Sequence, residues 1–181
     1  MIKTPRLYLT RLTKKDFENI HRKNCYPEVA KFNTIGIPKN LEETKQFLQP
    51  LFEPQNPEKG VQLCWSIRLK KNKNFIGEIG MQTSTPKYNK AEIHYSLIPH
   101  YWKKGFASEA VKALLNYGFK TLKLHCIEAG VATENVNSIK LLEKTGMQRE
   151  GMHRKILPVG GKWIDNYSYA ILEDDFLKEN S

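Results

Sequence analysis

The sequence predicts an α/β fold: a mixed sheet of about seven strands flanked by about four helices, in one domain spanning residues 1–181. Three observations carry this reading. Between Leu63 and Ile98 apolar residues recur at every second position, the period of strands with one buried face. Between Ala107 and Leu122 they recur at i, i+3, i+4 and i+7, the stripe of an amphipathic helix. An apolar run, His125–Ala132, follows that helix, so strand, helix and strand form a crossover unit that sets two strands parallel.

Taken in order, Thr4–Leu12 reads as a strand built on Leu7, Tyr8 and Leu9. Thr13 then reads as an N-cap with Asp16 at the capping-box position, ahead of a helix that shows Phe17 and Ile20 on one face and ends before Tyr26-Pro27. Asn40 caps a second helix carrying Phe47, Leu48 and Leu51. Residues 53–60, with two prolines and a glycine, form a loop. Leu63–Leu69 and Phe75–Gln82 make a hairpin across a Lys/Asn turn, and Ala91–Ile98 completes an antiparallel meander. Beyond the long helix and the strand His125–Ala132, a short helix runs from Ser138 to Thr145, with Asn137 or Ser138 as its cap, and stops at Gly146. Strands near Met147–Glu150 and Trp163–Ile171 close the chain.

Composition narrows the functional classes. The chain is 40% hydrophobic and 27% charged, which argues against disorder, and no apolar run approaches the ~20 residues that span a bilayer. The start lacks an apolar core, which argues against a secretory signal. Cys25, Cys64 and Cys126 stand alone, as reduced thiols of a cytoplasmic protein do, and the five histidines have no metal-ligand spacing. The 29 Lys and Arg exceed the 19 Asp and Glu, a net charge of +10 that favours polyanions: nucleic acid or a phosphate-bearing cofactor.

Three segments carry candidate chemistry. Trp102-Lys103-Lys104-Gly105-Phe106-Ala107-Ser108 joins a strand to the start of the long helix. Free N–H groups at a helix start, a glycine that allows close approach and two lysines suit a phosphate cradle, and equally a glycine loop with solvated lysines. On the strand 91–98, Glu92, His94 and Ser96 share one face; a carboxylate beside an imidazole suits proton transfer, and equally a wet strand face. Glu78 lies between Gly77 and Gly80 in the neighbouring strand. Asn135-Val136-Asn137-Ser138 is the third segment, and helix capping accounts for it unless the cradle lies nearby.

The run Ala91-Glu92-Ile93-His94-Tyr95-Ser96-Leu97-Ile98-Pro99-His100-Tyr101-Trp102-Lys103-Lys104-Gly105-Phe106-Ala107-Ser108-Glu109-Ala110 resembles the acetyl-CoA-binding motif of the GNAT acyltransferases. It is most similar to their ribosomal-protein N-acetyltransferase (RimJ/RimL-like) branch. Thr4-Pro5-Arg6-Leu7, Asn135-x-x-Ser138, Leu142-Glu143-Lys144-Thr145-Gly146-Met147, Glu150-Gly151 and Gly161-Lys162-Trp163-x-Asp165 agree with that branch, in order along nearly the whole chain. Trp102 stands in place of the general motif's Gln or Arg, and Lys103 where the branch often has glycine.

The resemblance implies the GNAT acyl-CoA N-acyltransferase fold, with acetyl-CoA as co-substrate and no metal. It places Trp102, Lys103, Lys104, Gly105, Phe106, Ala107 and Ser108 at the pyrophosphate. Ser96, Leu97 and Ile98 fall along the pantetheine, where two parallel strands splay; Asn135 touches the cofactor or fixes the strand's exit, and Asn137 is a further cofactor-binding residue. The catalytic expectations are Glu92 as base, Glu78 as second choice, an N–H near Leu97 for the oxyanion, and Ser138 at the leaving thiolate. The implied partner is an amine attacking directly in a ternary complex, foremost a protein N-terminus, with loops 26–37 and 157–161 shaping its site; a homodimer is compatible with it. A small-molecule amine and a non-catalytic acyl-CoA sensor are the alternatives. A basic nucleic-acid binder would need a recognition helix or interleaved surface aromatics, and the sequence offers neither.

Overall fold

The computed structural model describes residues 1–179. One eight-stranded sheet runs through it, in the order β1-β2-β3-β4-β5-β6-β8-β7. Its strands are β1 (Ile2–Lys3), β2 (Leu7–Arg11), β3 (Gln62–Leu69), β4 (Phe75–Thr83), β5 (Lys90–Leu97), β6 (Cys126–Ala132), β7 (Gln148–Val159) and β8 (Lys162–Leu172). The helices are α1 (Phe17–Asn24), α2 (Pro27–Ala30), α3 (Leu41–Leu48), α4 (Phe106–Lys120), α5 (Val136–Lys144) and α6 (Glu173–Glu179). Among the described residues no helix is long and apolar enough to cross a membrane.

The antiparallel meander β3-β4-β5 is present, and β5 pairs in parallel with β6 across the α4 crossover. The two sheet faces differ. Trp65, Ile67, Ile79, Met81, Ile93 and Leu97 pack against Val111, Leu114 and Leu115 of α4 in the main core. On the other face Leu12, Phe17, Ile20, Leu48 and Cys64 form a smaller core under α1 and α3. That second layer explains why Ser66, polar and alternating, is fully buried rather than wet.

Several elements depart from the sequence reading. The first strand is broken into β1 and β2, because Thr4 turns back on itself, its N–H donating to the Leu7 carbonyl. Asp16 does complete the capping box: its carboxylate accepts the Thr13 N–H and hydroxyl, each at 3.0 Å, and the chain makes one 3₁₀ turn before α1 begins. Asn40 caps α3 as expected, although Phe47 is exposed. The cap of α5 is neither Asn137 nor Ser138 but Asn135, whose side chain accepts the Ser138 N–H. Strand β7 is three times the expected length, so residues 157–159 are strand, and only Gly160 and Gly161, both at positive φ, form the turn. Helix α6 was not expected; its Phe176 stacks on Phe119 of α4 at 4.9 Å.

Helix α4 is anchored at its start by the N-terminal segment. The Glu109 carboxylate accepts the Thr4 hydroxyl at 2.5 Å, the Arg6 N–H at 2.8 Å and the Arg6 Nε at 2.6 Å. Arg6 also donates to the Lys104 carbonyl at 3.0 Å and lies 4.4 Å over the Phe106 ring. Burial alone would raise the Glu109 pKa, but the bonds from Thr4 and Arg6 together hold it below the ordinary value. A depressed folded-state pKa gives stability that is complete above the unfolded value, near pH 4.3, and is lost as pH falls through the folded value. Urea unfolding of the wild type should therefore lose stability on acidification below about pH 4.3 more steeply than Glu109→Gln does. Identical slopes for the two proteins would contradict this origin of the shift.

Candidate active site

The parallel pair β5 and β6 stays together for only three residue pairs, Lys90 with Cys126, Ala91 with Ile127 and Glu92 with Glu128. Beyond them each strand follows its outer neighbour: β5 stays on β4 as far as Leu97, and β6 stays on β8 as far as Ala132. The two strands therefore open into a wedge. Backbone groups alternate from edge to edge along a strand. The Ile98 N–H donates to the Ile76 carbonyl on the β4 side, so the N–H of Leu97 faces the wedge. The carbonyl of Leu97 faces the same way and accepts the Trp102 indole N–H at 2.7 Å. Trp102 thus fixes the end of β5, a role its position in the motif did not reveal.

The segment after Trp102 turns sharply into α4. Lys103 has φ +57° and Gly105 φ +77°, so two residues lie in the left-handed region. Lysine occupies the first at a steric cost that glycine would avoid. A Cβ on Gly105 would stand 3.3 Å from the Arg6 guanidinium. The first bond within the helix runs from the Glu109 N–H to the Gly105 carbonyl. The N–H groups of Phe106, Ala107 and Ser108 are left without a helical acceptor, at the positive end of a 15-residue helix. Wedge and helix start adjoin, so the open backbone, the glycine and the free donors fit a thioester cofactor with a pyrophosphate. Asn137 is exposed at the start of α5, and the Asn135 side chain caps that helix.

On the opposite face of β5 lies a polar floor. Glu92 and His94 share it, as their alternation predicts, and both reach solvent. Two glycines make room for it. The His94 ring covers Gly80, where a Cβ would meet it at 2.5 Å. The Glu92 carboxylate and the Asn166 amide both pack over Gly130, within 3.5 Å of where its Cβ would be. His94 is crowded by protein on all but its open side, and this lowers its pKa; Lys23 acts in the same direction and Glu78 against it. The imidazole is therefore neutral at pH 7.

Glu78 is already engaged. Its Oε1 lies 2.5 Å from the Lys23 ammonium of α1, a residue only 2% exposed. Glu92 has no such partner among the described ion pairs. Four side-chain oxygens of this face, Ser66 Oγ, Glu78 Oε2, Gln82 Oε1 and Asn166 Oδ1, are buried without a hydrogen-bond partner among the described residues. On the apolar side of the wedge Ser138 does come to β5: its hydroxyl lies 2.6 Å from that of Tyr95. Sequence reasoning missed Lys23, Gln82, Asn166 and Tyr95 as site neighbours, since each meets its partners only through the fold. A separate hollow of about 510 Å³ among Arg11, Trp65 and Tyr117 lies elsewhere on the molecule and touches none of these residues. Among the described residues no cluster of His, Cys, Asp and Glu is arranged to hold a metal.

Comparison with known proteins agrees with this geometry. Residues 6–148 match the acetyltransferase (GNAT) domain family. The chain is 32% identical over 173 residues to the uncharacterized N-acetyltransferase YoaA of Bacillus subtilis (strain 168), covering 96% of this chain and 97% of that one. A crystal structure of a GNAT-family acetyltransferase from Bacillus anthracis superposes with a TM-score of 0.81 at 35% identity, over 96% of this chain and 98% of that one. The spermidine N-acetyltransferase of Vibrio cholerae, solved with CoA and spermine, shares the fold with a TM-score of 0.83 at 23% identity, over 94% and 98% of the two chains. These relatives support the family and lend nothing to the ribosomal-protein branch within it. The family model spans well over half of the sequence, and the relatives cover nearly all of it: the chain belongs to the GNAT family of acetyltransferases.

Proposed function

We propose that this acetyltransferase works as a single domain over residues 1–181, in the cytoplasm, and moves the acetyl group of acetyl-CoA to a primary amine, foremost the α-amino group of a polypeptide. The observation that carries the reading is the wedge itself: a Leu97 N–H facing an open parallel pair, beside the free N–H groups of α4. The co-substrate supplies an activated thioester. The N–H groups along Lys103–Ser108 bind its pyrophosphate, with Lys103 and Lys104 adding charge. Backbone of Ser96–Ile98 aligns the pantetheine, and the Leu97 N–H receives the negative charge that develops on the carbonyl oxygen.

Glu92 takes the proton from the attacking amine, directly or through water. Its freedom from ion pairing supports it over Glu78, which Lys23 already holds. The neutral His94 beside it can pass that proton to solvent. Ser138 donates a hydrogen bond to the departing sulfur. An α-amino group, with an ordinary pKa of about 7.7–8.0, needs little help to become neutral, which suits a site with one modest base.

A second reading is acetylation of a polyamine. It is favoured by a 28% identity over 93 residues to the spermidine N(1)-acetyltransferase of Escherichia coli (strain K12), covering 51% of this chain. Against it stands the net charge of +10, which repels a polycation. Thiol release from acetyl-CoA, measured with peptides of free N-terminus, simple amines and spermidine, decides between the two. Highest kcat/KM on peptides supports the proposal, highest on spermidine the second reading, and no release with any amine a non-catalytic acyl-CoA sensor.

Two variants test the machinery. Saturating acetyl-CoA at 100 times its Kd should stabilise the wild type by about 2.7 kcal/mol. Gly105→Asp should remove most of that shift, whereas Gly105→Asn, which tolerates positive φ without adding charge, should keep more of it; an undiminished shift in the Asp variant would misplace the cradle. Glu92→Gln should lower kcat with cofactor binding intact, and the deficit should shrink as pH rises and more amine is neutral. A rate equal to wild type at every pH would remove Glu92 from the reaction.

A further inference from the structure

Tyr95 sits on the lip of the wedge, on β5, and its side chain packs against the main core on the α4 side of the sheet. Its phenol oxygen lies 2.6 Å from the Ser138 hydroxyl, on the first turn of α5. That bond spans the wedge: one partner belongs to the strand on one side, the other to the helix that follows the strand on the other side. Burial pushes the Tyr95 pKa up to about 12, with the bond to Ser138 opposing. The phenol is therefore neutral throughout the physiological range and keeps its proton.

Two neutral hydroxyls that face one another share one hydrogen bond, and only one of them donates it. A phenol is a far stronger acid than an aliphatic alcohol, so the favoured arrangement has Tyr95 donate and Ser138 accept. The backbone of Ser138 is also fixed, by the Asn135 cap. With its lone pair engaged by Tyr95, the serine hydroxyl must point its own hydrogen elsewhere, and a hydroxyl that accepts one hydrogen bond donates a stronger one.

We infer that Tyr95 is a positioning residue, which by donating to Ser138 aims the serine hydrogen at the thioester sulfur. The inference rests on the proposed role of Ser138. As the C–S bond breaks, its electron pair goes to sulfur, where the serine hydrogen bond stabilises the thiolate. The amine proton passes to Glu92, the acetyl carbon gains its bond to nitrogen, and the thiolate takes a proton from water after it leaves. Tyr95 loses no proton at any point, since a phenolate in that enclosure would be costlier than the thiolate it served.

The test is the acidity of the CoA thiol in the binary complex, read from thiolate absorbance in the ultraviolet as pH is raised. Removal of the aimed donor by Ser138→Ala should raise the bound thiol pKa by about one unit, a tenfold change. Tyr95→Phe should raise it by a similar amount, and the double variant should add little to either, because both act through the same hydrogen. Single-turnover rates should follow the same pattern, with KM for the amine unmoved. A Tyr95→Phe protein that melts lower but keeps the wild-type thiol pKa and rate overturns the inference while Ser138 survives, and so do additive effects in the double variant. If Ser138→Ala leaves thiol pKa and rate unchanged, the assigned role of Ser138 falls, and that of Tyr95 with it. Should Tyr95→Phe fail to fold, fluorotyrosine at position 95 keeps the bond with a more acidic phenol and should lower the thiol pKa; no change there counts against the inference.

Discussion

Two parallel strands part only where each has another strand to hold it. That condition governs this molecule. Strand β5 breaks from β6 after Glu92, and it can do so because β4 continues to bond it as far as Leu97. Strand β6 has the same support from β8. In the interior of a sheet, unpaired N–H and C=O groups are expensive, and a cut through the middle leaves two rows of them. Such an arrangement persists when something else meets those groups. The Trp102 indole already takes one, the Leu97 carbonyl. The neighbouring Leu97 N–H is left facing the gap, which is where the proposed function sets the thioester.

The start of α4 shows the same exchange of local comfort for function. A lysine at φ +57° and a glycine at φ +77° bend the chain so that three helical N–H groups face outward. The acidic side chain nearest this site, Glu109, would repel a phosphate if it were free. Instead Thr4 and Arg6 occupy its oxygens, and the segment around the helix start remains positive. Across the sheet Lys23 treats Glu78 similarly, so that of the two carboxylates flanking the polar floor one is paired and the other, Glu92, is in no described ion pair.

What could be read in advance followed from local chemistry. Periodicity marked α4 and the meander, Gly105 and Ala107 marked the helix start, and alternation put Glu92 beside His94. The misses have different causes. Tyr95 and Ser138 stand 43 positions apart, and Lys23 and Glu78 stand 55 apart. No spacing rule links residues at such separations, because the fold alone joins them. Strand β7 exceeds its expected length because its middle, Arg149 to Lys155, lacks the alternation of a half-buried strand; it is an exposed edge strand and owes its shape to β8. Asn135 was passed over as a cap because three polar residues compete there, and the choice depends on where β6 ends.

The bond between Thr4 and Glu109 closes a span of 105 residues. A contact so distant along the chain carries a large loop-closure entropy, which the four bonds from Thr4 and Arg6 to the start of α4 together offset. Helix α4 has the apolar stripe of an amphipathic helix in its own sequence. Its mouth is held in shape by Thr4 and Arg6, which lie against it, so a change at either residue acts on a segment about a hundred positions downstream without touching that segment's own sequence.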